Sequence, residues 1–310
     1  MSRAQPPVNK VDAPRAGGDN TVPSSIPLHG SNVHVRPRSH VQTLHLYALA
    51  ALALGHGTPA LAQASPVTLF ELSESPSVVE RADRAYWGGD AVESLRLLEG
   101  LLANTPRNVD LLWRAARASV ALGVIANGEE LENRWYRHGI AHSDVALQLD
   151  SGNADALRWA VASKGQLAIQ TGARETARLA QEVWTMAHNL LERDPSDGLA
   201  HHALGTLHYE VMKMSAFKRF LGRMFLGGEA LAQANWDDAV YHHERAVAIE
   251  PTAIAFRVGF ANTLKRRDRV PEAIEQLRRA TSLPFLHPGD SDYQGLAHRY
   301  LNELLAEGNG

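Results

Sequence analysis

The chain has 310 residues, 45% hydrophobic and 21% charged, which is ordinary for a soluble globular protein and excludes a collagen, a wholly disordered chain and a polytopic membrane protein. Its 31 basic and 34 acidic side chains leave a net charge of −3, too even for a generic nucleic-acid or anionic-membrane binder. Cysteine is absent, so disulfides, thiolate nucleophiles, sulfur-ligated zinc and a lipidated N-terminal cysteine are all excluded.

Residues 1–39 are rich in Pro, Gly, Ser and Asn without an apolar stripe, the composition of a disordered leader. Arg36 and Arg38 then precede an apolar run from Leu44 to Leu54, followed by Gly55, Gly57 and Pro59 and the small residues Ala60 to Ala64. This order of basic flank, short apolar run, breakers and A-x-A site predicts a signal peptide over 40–64, cleaved after Ala62 or Ala64 and delivering the protein to the periplasm or medium. The run is too short to span a bilayer, which needs about 20 residues. Its distance from Met1 is reconciled by a translation start near Val35 or Val41. Loss of residues 1–62 removes five basic and two acidic side chains and leaves a mature charge of −6.

Residues 77–306 read as repeated helical hairpins. Gly89 to Leu95 leads to Thr105-Pro106 and Asn235 to Val240 leads to Glu250-Pro251; Asp194-Pro195 closes a third unit, and Val270-Pro271 opens a fourth that ends near Pro284. Proline recurs at the close of a unit because it has no N–H to continue a helix. The spacing resembles the tetratricopeptide (TPR) repeat. It predicts an all-α, TPR-like superhelix of antiparallel helix pairs at about 77–106, 108–151, 153–195, 197–251 and 253–284, with an amphipathic terminal helix at 292–306. Ala239 and Ala246, and Ala273 and Ala280, supply small residues where helices cross; His243, between the first two, is expected in the core. The six tryptophans recur about once per helix and read as repeat packing.

The order of irregular units resembles the regulator of microtubule dynamics family, a TPR-like group, over roughly residues 80–285. The likeness rests on Asp110 to Ala118, on Ala156 to Ala160, and on Leu204-Gly205 leading through Tyr209 into Phe217-Lys218-Arg219 and Met224 to Gly227. It implies an all-helical, non-enzymatic domain; members are associated with proteins, microtubules or phospholipids. No residue here carries over as a tubulin site.

The insert at 212–228 is one candidate contact surface. In a helix, Phe217, Phe220, Leu221, Met224 and Phe225 form one stripe backed by Lys218, Arg219 and Arg223. The stripe fits a packed helix, peripheral contact with a phospholipid membrane, or a partner protein. A second candidate is electrostatic. The first helices of hairpins two to five carry nine cations, including Arg114, Arg117, Arg158, Lys164, Lys213 and Lys265, against four acids. First helices line the concave face of a TPR stack, so a basic groove for a protein or acidic peptide is expected there, unless these are ordinary solvated charges. Histidines His201, His202, His208, His242 and His243, and the i,i+4 pair His138 and His142, are the remaining metal-capable groups. No H-E-x-x-H, G-x-S-x-G or P-loop is present, so a metal-dependent hydrolase is a distant third reading, and no catalytic residue, metal or cofactor is expected.

Overall fold

The computed structural model describes residues 76–307 apart from 217, 218, 220, 221 and 223–227. The expected leader and signal peptide lie outside the described residues. Twelve helices and no strand are present among those described. They are α1 (Val78–Trp87), α2 (Ala91–Leu102), α3 (Val109–Val124), α4 (Glu129–Leu149), α5 (Ala154–Gln170), α6 (Ala173–Arg193), α7 (Gly198–Lys213), a short α8 (Glu229–Gln233), α9 (Trp236–Ile249), α10 (Ile254–Arg266), α11 (Val270–Ser282) and α12 (Asp290–Glu307).

Successive hairpins are joined by one recurring turn. At the four junctions the backbone N–H of Asn108, Asn153, Asp197 and Ala253 donates to the carbonyl three residues earlier, on Thr105, Asp150, Asp194 and Glu250, at 3.1–3.2 Å. In three of them proline occupies the second position, where its fixed φ suits a tight turn. The fourth residue then caps the next helix. The side chains of Asn108, Asn153 and Asp197 each accept from the N–H three residues on, meeting one of the unpaired donors at the helix start. Loss of such a cap costs about 1 kcal/mol. Ser77 and Glu80 form a reciprocal capping box at α1, and Asp90 and Asn235 cap α2 and α9.

Small residues hold the crossings. Ala115, Ala160, Ala187, Ala239, Ala246, Ala273 and Ala280 have no exposed surface. Leu95, Leu112, Leu204, Leu264 and Leu277 fill the spaces between. The apolar interior runs mainly as three successive clusters, over α1–α4, α5–α8 and α10–α12, with two smaller ones around Leu167 and Ala246. That is the expected result when each hairpin buries its face only on its neighbours.

The chain then turns back on itself. The N–H groups of Leu286 and His287 both donate to Asp290 Oδ2 at 2.8 Å, fixing the loop before α12. Gly289 takes φ +90, and a Cβ there would lie 2.7 Å from Val124 Cγ1. The His287 ring lies 5.3 Å from the Trp87 ring, and Gln166 Nε2 approaches Tyr293 Oη at 3.4 Å. The last loop and helix thereby reach α1, α3 and α5 across the inside of the superhelix.

Candidate functional site

This return borders a half-open cavity of about 1110 Å³ on the concave side. Ligand pockets usually occupy about 300–1,000 Å³, so it is ample for one large ligand or a partner's side chains. The walls come from the first helices α3, α5 and α7, the start of α10, one face of α6, and the loop before α12. Val124, Ile169, Ala177, Ala203, Val211 and Ile254 typify the surface, which is dominated by small and aliphatic residues. Ile169 and Trp87, both 53% exposed, and the nearby Phe285 and Leu286 leave apolar surface open to solvent. Large apolar side chains in that state mark a contact surface more often than a folding requirement.

Polar groups gather at the end formed by the α5, α7 and α10 starts. Arg158 Nε donates to Asp197 Oδ2 at 2.6 Å, and its Nη1 donates to Asp155 Oδ1 at 3.1 Å. Glu250 lies beside them, its carboxyl raised above the ordinary range by burial and by the neighbouring Asp197 charge. Its approach depends on Gly198, where a Cβ would collide with the Glu250 carboxylate.

The six cations expected to make the groove basic are all matched by carboxylates. Arg114 pairs with Asp83 at 3.1 Å and with Asp110 at 3.3 Å; Arg117 pairs with Asp83 at 2.5 Å and lies over the Tyr86 ring. Lys164, only 4% exposed, sits between Asp144 at 2.8 Å and Glu182 at 2.7 Å. Lys213 pairs with Glu210 and Lys265 with Glu307. Of the six, only Arg158 borders the cavity. The concave face is thus apolar and charge-compensated rather than openly basic. The count of charges on first helices missed the partners because Asp83, Asp144, Glu182 and Glu307 belong to other helices.

In the insert, Arg219 Nη1 donates to the carbonyls of Met212 and Met214, closing the C-terminal end of α7 where unpaired carbonyls collect. Phe217, Lys218, Phe220, Arg223, Met224 and Phe225 lie outside the described residues. Gly222 and Leu231 bring the margins of the insert to the cavity wall.

Most of the remaining histidines form a packed seam between α7, α9 and α10. The Pro195 carbonyl can only accept, so His201 Nε2 carries the hydrogen (3.2 Å) and His201 Nδ1 accepts from His242 Nδ1 at 2.9 Å. His208 Nδ1 accepts the Asn235 N–H. His243, 1% exposed as expected of a core residue, meets Thr263 Oγ1 at 2.9 Å and Thr206 Oγ1 at 3.3 Å. Gly205 makes room for it: a Cβ there would lie 2.7 Å from the ring. Burial pushes His202 and His242 down to about 4 and His243 well below its ordinary value.

Apart from Arg158, the wall positions of the cavity carry no motif that sequence reasoning singles out. Their signal is the alternation of alanine with aliphatic residues along α5, ending in an Ile169 that no core needs. Paired helices, concave cavity and in-turning last helix define a TPR-like helical-repeat protein. The chain belongs to the family described as Regulator of microtubule dynamics protein 1-3, whose model matches residues 78–305. It is 24% identical over 227 residues to Regulator of microtubule dynamics protein 3 of Rattus norvegicus, covering 72% of this chain and 48% of that protein, so it spans about half the relative's length. A similar solved structure is that of a thermophilic TPR protein from Thermus thermophilus, at TM-score 0.49 and 16% identity, covering 72% of this chain and 97% of the other.

Proposed function

We propose that the protein is a non-catalytic binding scaffold that receives apolar side chains of a partner protein segment in its concave cavity. The observation that carries this reading is the half-open concave cavity of about 1110 Å³, apolar in its walls and polar at one end. Apolar burial supplies roughly 25 cal/mol per Å², and the Arg158, Asp197 and Glu250 group orients the ligand at the polar end. An acidic peptide would gain less there, because Arg114, Arg117, Arg158, Lys164, Lys213 and Lys265 already have carboxylate partners and exposed pairs contribute little. Fold and family together support a role in protein interaction.

A second reading has one specific observation in its favour: a large cavity with apolar walls also suits phospholipid acyl chains. No helix among the described residues is long and apolar enough to cross a membrane. Cavity-filling variants Ala177→Trp and Ala203→Trp should retain the helical circular dichroism spectrum and lose partner binding. Native mass spectrometry of the purified chain separates the two ligands, since a bound phospholipid released by the same variants would favour the second. If both filled variants bind like the parent, the cavity is not the working face. The export reading is tested by sequencing the N-terminus of the protein recovered outside the cytoplasm, which should begin at Gln63 or Ser65.

A further inference from the structure

Away from the cavity, Glu99 on α2 and His138 and His142 on α4 converge beside Ser119 of α3. One ligand atom from each of the three lies within 4.8 Å of the others. The i,i+4 spacing puts both histidines on one face of α4, and their rings meet edge to face with centroids 4.6 Å apart. Both are buried, at 3% exposure.

Proton accounting distinguishes this pocket. The Ser119 hydroxyl donates its single hydrogen to the Ala115 carbonyl at 2.7 Å. It also lies 3.0 Å from His138 Nδ1, in a contact whose direction follows the imidazole tautomer. His138 Nε2 faces Glu99 Oε1 at 3.4 Å. Both ring nitrogens of His142 are buried with no hydrogen-bond partner. Buried groups left unpaired in this way cost about 1–3 kcal/mol each.

We propose that Glu99, His138 and His142 form a binding site for a divalent first-row transition metal of the zinc class, with Ser119 orienting His138. A dication would bond both Nε2 and Oε1, which already face each other. Bonds of about 2.1 Å at a tetrahedral angle separate two ligand atoms by about 3.4 Å, the spacing already present between His138 and Glu99. Two imidazoles and one carboxylate select zinc-like ions over magnesium or calcium, which take oxygen donors. Three protein ligands leave a fourth position for water. Burial lowers His138 to about 4 and His142 to about 3, which keeps both rings uncharged at neutral pH. Bound metal would tie α2 to α4 and thereby stabilise the first two hairpins.

The test uses the full chain, stripped with a chelator and titrated with zinc and separately with cobalt(II). One equivalent of zinc should bind and raise Tm, and cobalt should show the visible d–d bands of a four-coordinate nitrogen and oxygen site. Glu99→Gln and His142→Gln should each weaken zinc binding by at least about 10–100-fold, the loss seen for lesser, outer-sphere changes. His201→Gln, in the separate seam, should bind like the parent. The proposal is overturned if the stripped parent takes up no zinc, or if Glu99→Gln and His142→Gln bind it as tightly as the parent. Should both variants fail to fold, the parent's cobalt spectrum decides: an octahedral aqua-type spectrum rejects the site.

Discussion

His243 and His142 are both buried histidines in the interior of a helix stack, yet their surroundings differ in kind. Around His243 two threonine hydroxyls meet the two ring nitrogens, and Gly205 leaves the space its ring occupies. Around His142 neither nitrogen has a hydrogen-bond partner, and the neighbouring Glu99 Oε1 and His138 Nε2 face each other at 3.4 Å. Burial alone therefore does not separate a structural histidine from a ligand. The decisive quantity is whether donors and acceptors balance without a guest.

The largest expected effect concerns the seam as a whole. His202 and His242 keep their rings uncharged down to about pH 4, whereas the unfolded chain takes up protons near the ordinary 6.5. The unfolded state binds more protons in that window, so stability is fully present above about pH 6.5 and falls as pH drops toward 4. Two such groups remove about 3 kcal/mol per pH unit, at about 1.4 kcal/mol each. Urea unfolding at a series of pH values should show at least this slope, to which the buried His138, His142 and His243 add, and a flat midpoint between pH 7 and 5 would mean the seam is hydrated or open.

A matched pair of substitutions sharpens the contrast at single residues. His243→Leu should lose about 1–3 kcal/mol because two hydroxyls lose their partner. In chelator-treated protein His142→Leu should lose nothing, since an apolar group replaces one that was unpaired. Equal losses, measured by the same urea titration, would erase the distinction. The smallest effect is expected for Thr206→Ala, which removes only the longer 3.3 Å contact and should cost less than about 1 kcal/mol.

The helical architecture was legible because it is written locally. The prolines at 106, 195 and 251, the caps Asn108, Asn153 and Asp197, and the alanines at the crossings all act within a few residues of their own position. The terminal helix begins at Asp290 rather than Asp292, because the Asp290 carboxylate itself holds the preceding loop. What stayed hidden depends on contacts between distant segments. The acids that neutralise Arg117 and Lys164 lie on other helices, so counting charge along first helices suggested a basic groove. The loop that covers the cavity meets Trp87 some 200 residues earlier in the chain (His287 against position 87). The His138 and His142 spacing was visible, but Glu99 belongs to the previous hairpin and no offset rule could find it.

On the proposed reading, charge pairing and apolar walls let the concave surface work by excluding water rather than by attracting opposite charge. The most direct measurement is the salt dependence of ligand binding to the intact chain. Apolar recognition predicts an affinity nearly constant, or slightly stronger, from low to high ionic strength. A steep fall in affinity with salt would contradict it and restore the basic side chains as the working groups.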